Sequence, residues 1–483
     1  MGFPLAPDAF PQLEIAPQDQ IALEALVDAL VADTLHESSA LRQFQDAAAV
    51  TTTRATLMTR PPRLGALEAA HHVDARRWRL LKHRDSVRVY KERSRFLHRR
   101  YERSLDSKQQ QHAPHPRPSA VLELDPQQEP QPPTLPMMIG IGSVQGCVDD
   151  VLYGLLAPTQ EAAQIRASYA GDDVVDTRVL ATLARPSAAA PLRSLSVQWS
   201  ARRQHGVCRS LVRLRDFVVV EATGTTTSDS GERVGYHVVH SAAVPGVREL
   251  HELNVVRARI SMCCVFRPGR SGDGTVEVFM RGFLNPLGDV RLSAAMASAA
   301  EPVLSLWRTV RCAQMKKLAW EAACAALRAG RGTRSAAACE ICWKPQRASL
   351  HALKRCHVCR RHVCSRCCVP KRLHFLSPPT PERHVVRLGV LFCSGCVFSA
   401  TQRPAAEFAV RESDAVEEAL SGVPAMTPAS TTASSARSRA FTSPRSDRSC
   451  ASSAASSYYA APPELLPSTP MSRRGSRLSR WFQ

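Results

Sequence analysis

Between residues 17 and 46 apolar side chains return every three or four positions, at Leu23, Leu26, Val27, Leu30, Val31 and Leu35, which is the period of a helix with one buried stripe. From Trp78 the chain turns basic, WRLLKHRDSVRVYKERSRFLHRRYER, and reads as a solvated helix followed by a strand, DSVRVYKER, in which polar and apolar residues alternate. MMIGIGSVQGCVDDVLYGLLAPTQEAAQIRASY then gives a strand and a helix. Further strands are predicted at LSVQWSA (from 195), VCRSLVRLRDFVVVEATG (207), GYHVVHSAA (235), ARISMCCVFRP (258) and TVEVFMRGF (275), parted by turn clusters such as TGTTTSDSGER and PGRSGDG. Strands at such short intervals predict an antiparallel sheet. The segment RLSAAMASAAEPVLSLWRTVRCAQMKKLAWEAACAALRAG is apolar on most sides, so it is expected as a long helix against a large hydrophobic surface, kinked or restarted at Pro302.

Two stretches lack any period. Residues 104–136 are rich in Gln and Pro and are expected as a disordered insertion. Residues 401–483 are dominated by Ser, Ala, Thr and Pro and are expected as a disordered basic tail. The tail ends MSRRGSRLSRWFQ, where Ser476 stands in the basic context many kinases prefer; a phosphate there would weaken contacts made by the neighbouring arginines. The predicted organisation is therefore a mixed domain over 1–330 with the 104–136 insertion, a small module over 334–400 and the tail.

Charge narrows the partners. Sixty-three Lys and Arg against 43 Asp and Glu leave +20, which calls for an acidic partner: anionic membrane, nucleic acid or an acidic protein. The opening MGFPLAPDAF carries no basic segment followed by an apolar one, position 6 is Ala where myristoylation needs Ser or Thr, and no uncharged apolar run approaches ~20 residues. A cytoplasmic protein is expected, in which thiols stay reduced and clustered cysteines point to metal before disulfides.

Eight of the 16 cysteines form four C-x2-C pairs in one window: Cys339 and Cys342, Cys356 and Cys359, Cys364 and Cys367, Cys393 and Cys396. A C-x2-C knuckle presents two thiolates together, and zinc takes four in a tetrahedron, so four knuckles predict two structural zinc ions. Spacing alone leaves consecutive and interleaved pairing both open. An all-thiolate site has no vacant coordination position, so the metal activates no water; nor does the sequence assemble a nucleophile, base and orienting residue, and a non-enzymatic protein is expected. Nucleic acid is set aside as partner, because the basic region lacks aromatic interleaving and the module lacks a Cys-Cys-His-His pattern.

The gaps between consecutive ligands, 2, 13, 2, 4, 2, 25 and 2 residues, resemble those of the FYVE family, a zinc module that recognises phosphatidylinositol 3-phosphate on endosomal membranes. The resemblance implies interleaved ligation: Cys339, Cys342, Cys364 and Cys367 on one zinc, Cys356, Cys359, Cys393 and Cys396 on the other. It also implies lipid headgroup and membrane contacts near the third ligand, from Lys354, Arg355, His357, Arg360 and Arg361, with Leu350 and Leu353 inserting. Here the chain departs from the family: no Trp and Asp precede Cys339, and Leu391 and Phe392 stand where Arg and Val are expected before Cys393. Between 334 and 396, twelve Lys and Arg face two acids, which keeps an anionic membrane as the expected partner. The alternative is a protein-interaction scaffold or a RING-like ubiquitin-ligase role, although a RING usually has a histidine ligand after its third Cys and here Cys359 already completes the knuckle.

Upstream, WRLLK with VRVYKER, LVRLRDFVVV around Asp216, GYHVVHSAAVPG ending at Gly246, VFRPG ending at Gly269 and FLNPLGDV before the last helix resemble the START family. START followed at once by a FYVE-like module resembles the START-FYVE proteins abundant in oomycetes, over about residues 1 to 400 without the insertion. This implies an α+β chain: a helix-grip sheet curled around the long C-terminal helix, with a lipid in the cavity between, then a two-zinc cross-brace and the tail. Val218, Val220, Val238, Met262, Val278, Met280, Leu304 and Trp307 are candidates for the cavity lining. Asp216 and Arg257 are read either as a buried polar pair within it or as a surface ion pair. The expected function is a lipid- and membrane-binding adaptor, peripheral on endosomal membranes.

Overall fold

Nine strands of one sheet run β1 (Trp78–Arg84), β2 (Val87–Glu92), β3 (Met138–Gln145), β10 (Thr275–Asn285), β9 (Arg259–Pro268), β7 (Arg233–Ser241), β6 (Arg215–Thr227), β5 (Ser194–Arg202) and β4 (Val174–Ala184), each antiparallel to its neighbours, and a tenth, β8 (Val256–Arg257), pairs with β6 in parallel. The structure is a computed structural model, and it describes residues 3–6, 8–11, 13–56, 73–93, 135–171, 173–203, 212–270, 272–288, 290–328, 336–345, 353–377, 384–421 and 459–460. Most of the 104–136 insertion, most of the tail and Leu350 lie outside the described residues. The chain forms two units, Met1–Arg185 with Leu192–Arg311, and Pro186–Pro191 with Cys312–Gln483.

In the first unit helix α1 (Pro17–Thr56) precedes β1 (Trp78–Arg84), β2 (Val87–Glu92) and β3 (Met138–Gln145). Helices α2 (Val148–Leu155) and α3 (Gln160–Ala170) lead to β4 (Val174–Ala184), β5 (Ser194–Arg202), β6 (Arg215–Thr227) and β7 (Arg233–Ser241). Then come β8 (Val256–Arg257), β9 (Arg259–Pro268), β10 (Thr275–Asn285), α4 (Leu292–Leu304) and the start of α5 (Trp307–Arg328). WRLLKHR is thus a strand and not the helix its basic stems suggested. It pairs with β2 through a register shift between Leu80 and Lys82, and the bulge breaks the alternation that would have announced it. Its Lys and Arg also suit an edge strand, which they protect from pairing with other chains.

Side chains alternate between two faces of the sheet, and register tells which is which. Leu195, Ala222, Val238 and Cys263 stand side by side across four strands. They pack with Leu23, Val27 and Val31 of α1, so the helical stripe read from the sequence covers this face. On the opposite face, helices touch the sheet where it has no side chain. A Cβ on Gly140 would meet Val303 Cγ1 of α4 at 2.8 Å, and one on Gly235 would meet Val148 Cγ1 of α2 at 2.7 Å. Glycine there makes room for a helix rather than for a turn. Pro302 sits in the last turn of α4, and of the two expectations, kink or restart, the restart holds, with α5 beginning at Trp307.

In the second unit, β11 (Lys354–Arg355) pairs with β12 (His362–Val363), and β13 (Cys368–Leu376) with β14 (Val385–Cys393). Helices α6 (Ser394–Gln402) and α7 (Ala405–Ser421) follow. Helix α7 occupies the start of the stretch expected to lack structure. Ala405, Phe408, Ala409 and Ala415 are buried at helical spacing directly after Pro404, a pattern submerged when composition is averaged over the Ser- and Ala-rich tail. Among the described residues no helix is long and apolar enough to cross a membrane.

Candidate functional site

The thiol sulfurs of Cys339, Cys342, Cys364 and Cys367 all lie within 4.8 Å of one another, and so do those of Cys356, Cys359, Cys393 and Cys396. The pairing is therefore interleaved, which spacing had left open. Local hydrogen bonds build each knuckle. Trp343 N–H donates to Cys339 O at 2.8 Å, and Arg360 N–H donates to Cys356 O at 3.0 Å. Both residues turn the chain with left-handed backbones, φ 59° and 62°. Cys367 N–H donates to Cys364 O at 3.1 Å, and the last knuckle is the first turn of α6, where the Cys393 sulfur accepts Cys396 N–H at 3.3 Å. Long-range bonds cross the segments: Glu340 N–H to His362 O at 2.9 Å and Cys393 N–H to the Cys356 sulfur at 3.2 Å.

The donor sets fit a tetrahedral thiophilic ion. Metal–sulfur bonds of ~2.3 Å give a tetrahedron edges of ~3.8 Å. Cys342 and Cys364 sulfurs are 3.8 Å apart, those of Cys359 and Cys393 3.7 Å. Burial pushes the Cys339 thiol up, but backbone N–H groups of Cys342, Cys364 and Ile341 outweigh it and bring it to about 6. Hydrogen bonds from the Cys359 and Cys396 thiols hold Cys356 far below the usual thiol range. Burial and the neighbouring thiols push Cys367 up to about 12, and the hydrogen bond to Cys356 pushes Cys359 up to about 11. Backbone N–H groups also lower Cys364, so Cys339, Cys364 and Cys356 form thiolates most readily, and four thiolates in one group require a cation.

The basic residues share one hairpin. Lys354 and Arg361 are exposed, Arg355 and Arg360 are half-buried, and Arg355 Nε donates to Arg360 O at 3.2 Å. Leu353 is half-buried just ahead of them. His357 stands apart: its Nδ1 is 3.0 Å from Leu391 O and its ring meets the edge of Phe392 at 6.4 Å, so it braces β14. The Glu340–His362 bond sets this hairpin beside the first knuckle, where Trp343 is 78% exposed. The sequence reading missed Trp343. Its only signal was an aromatic residue directly after a knuckle, where glycine fits the left-handed turn.

In the first unit a second cluster went unread. Arg166 of α3, a helix whose N-cap Thr159 accepts Ala162 N–H at 3.2 Å, grips Glu221 of β6 with two bonds of 2.6 and 2.9 Å. His237 Nε2 of β7 lies 2.6 Å from the same carboxylate, and Gln198 Oε1 accepts from Arg166 at 3.3 Å. Burial pushes the Glu221 carboxyl up, yet the Arg166 charge and the His237 hydrogen bond outweigh it and hold it well below the usual range. Glu221 pairs with Val239, and Val239 with Met262, which puts the carboxylate on the face covered by α2, α3 and α4. A glutamate inside FVVVEATG was the available signal.

The same register sorts the lining candidates. Met262, Val278 and Met280 share the helix-covered face with Glu221, and Leu304 of α4 is buried. Val218, Val220 and Val238 belong instead to the core under α1, on the other face of the sheet. Trp307 is 41% exposed. Asp216 is fully buried, and its Oδ2 accepts from Trp199 Nε1 at 2.8 Å and Arg257 Nε at 3.0 Å. That pair is buried, as one of the two readings had it, but on the α1 face, away from any interior between sheet and helices.

No family model matches the chain, and no curated protein matches it. Solved structures that are similar include human StAR-related lipid transfer protein 5, at 13% identity over 56% of this chain and 97% of that one, with a TM-score of 0.32. The lipid transfer and protein localization domain of human StarD13 is similar at 15% identity over 52% and 98%, with a TM-score of 0.31. A STAR-related lipid transfer protein from Xanthomonas axonopodis is similar at 14% over 48% and 98%, with a TM-score of 0.28. The α+β architecture described above rests on its own strand order and helix placement.

Proposed function

We propose that the chain is a non-enzymatic lipid-binding adaptor of the cytoplasm, peripheral on endosomal membranes. Its START-like unit holds a lipid between sheet and helices, and its FYVE-like module, with two structural zinc ions, docks on anionic membrane that includes phosphatidylinositol 3-phosphate. The observation that carries this reading is the basic hairpin Lys354–Arg361, braced between two interleaved four-cysteine groups and set beside an outward Trp343. Zinc would be held by the eight named cysteines and would supply rigidity, since four thiolates leave it no open position. Basic residues near an anionic leaflet contribute about 1 kcal/mol each, and Trp favours the membrane–water interface. The Arg166–Glu221–His237 cluster offers fixed charge for the polar end of a lipid on the face that α2, α3 and α4 cover.

Flotation of the full zinc-loaded chain with vesicles of phosphatidylcholine, of phosphatidylcholine with phosphatidylserine, and of phosphatidylcholine with phosphatidylinositol 3-phosphate tests it. Recovery on both anionic vesicles, greater on the 3-phosphoinositide, is expected. Equal recovery on the two at matched charge removes headgroup recognition and leaves membrane docking. Absence from every anionic vesicle overturns the docking and favours the protein-interaction scaffold, a RING-like ubiquitin ligase included.

A further inference from the structure

Helix α5 is buried on most sides between Cys312 and Cys324, and it carries two adjacent lysines, Lys316 and Lys317, only 3% and 1% exposed. A buried ammonium is costly unless it is paired and hydrogen-bonded. Both take oxygens from the segment that follows the second four-cysteine group. Lys317 Nζ donates at 2.8 Å to the carbonyl of Arg403, the residue that caps the end of α6. It also lies 5.9 Å over the ring of Phe408, itself fully buried. Lys316 Nζ is 3.2 Å from the Glu412 carboxylate of α7. Arg403 in turn pairs with Glu321 of α5 and Glu407 of α7, and lies 4.8 Å over Phe408.

Helix α6 joins this bracket to the metal ligands. It is nine residues long, about 14 Å. Its first turn is the Cys393–Cys396 knuckle, and the carbonyl of its capping residue, Arg403, accepts from Lys317. An end of α6 that is not fixed by its knuckle cannot present a fixed acceptor to a buried lysine.

We propose that metal at the second four-cysteine group holds α6 and α7 as a clamp on the Cys312–Arg328 part of α5, and that removing the metal releases that part. This rests on the zinc reading given above. The folded piece that contains the metal groups then extends from Cys312 to Ser421, beyond the 334–400 window that the cysteine spacing marks out.

Hydrogen–deuterium exchange of the full chain, zinc-loaded and after treatment with a zinc chelator, tests the clamp, with metal content measured alongside. Amides of α5 from Cys312 to Arg328 should exchange at least tenfold faster once zinc is removed, while those of β5 and β6 keep their rates. Phe408→Ala keeps all eight cysteines. It should speed the same α5 amides at least tenfold while the protein still carries two zinc ions. Unchanged α5 protection in both the chelated protein and Phe408→Ala overturns the clamp and leaves the zinc reading standing. A chain that binds no zinc overturns the zinc reading itself, and the clamp with it.

Discussion

Replacing Arg166 with Met strips the partner from a buried carboxylate while keeping most of the side-chain volume. Glu221 then retains its burial, the His237 contact and the FVVVEATG strand, but loses the two guanidinium bonds of 2.6 and 2.9 Å. Breaking a buried pair from one side costs about 3 to 5 kcal/mol. At about 2 to 4 °C per kcal/mol for a unit of this size, the first unit should melt some 6 to 20 °C lower at pH 7. The sign with pH is specific. In the natural chain the folded pKa of Glu221 lies below its unfolded value of about 4.3, so its contribution is present above that pH and fades as acid protonates it. In Arg166→Met, burial is left without its main counterweight, and the folded pKa rises above the unfolded value. The variant's deficit is then greatest at pH 7 and shrinks as pH falls towards 4. Thermal scans of both proteins at pH 7, 6, 5 and 4 follow the difference. A deficit below 1 kcal/mol, or one that is flat across the series, would refute the reasoning. Arg166→Met combined with Glu221→Leu should recover much of the loss, since two apolar groups leave no charge unpaired.

Cys356→Ser should lower the metal content below two per chain and unfold the hairpins of the second unit, read by metal analysis and proteolysis, because structural zinc contributes on the order of 10 kcal/mol to such modules. Trp343→Gly relieves a left-handed backbone of φ 59° and should stabilise the module by about 1 kcal/mol in denaturant titrations, while lowering vesicle recovery; loss of stability would show that the exposed ring packs after all. Gly235→Val drives a side chain into Val148 and Leu152 of α2 and should cost about 1 to 3 kcal/mol in thermal scans of the first unit.

The cysteine knuckles were legible because coordination chemistry fixes ligand type and local spacing. Which knuckles come together was not legible from spacing, only from the family resemblance, since it depends on bonds such as Glu340 to His362 between separate segments. Strand positions were legible at β2, β3, β5, β6, β7, β9 and β10; β4 and the two-residue β8 went unread, and the reading failed at β1, where a bulge sits between Leu80 and Lys82. Alternation also divides a strand into two faces without saying which helix covers each. Val218 and Met262 therefore looked equivalent as lining residues, although the first lies under α1. Arg166 and Glu221 stand 55 positions apart, and nothing local to either announces the other. Helix α7 escaped because a short periodic run was averaged into a long polar tail.

The alternation of ligands has a consequence for chain breaks. Suppose a protease cuts once between Cys342 and Cys356. The upstream piece still carries Cys339 and Cys342, whose partners in the four-cysteine group, Cys364 and Cys367, lie downstream. With zinc bound as proposed, the two fragments would be stitched together by an ion instead of a peptide bond, and a cut chain should migrate as an intact one until a chelator unpicks it.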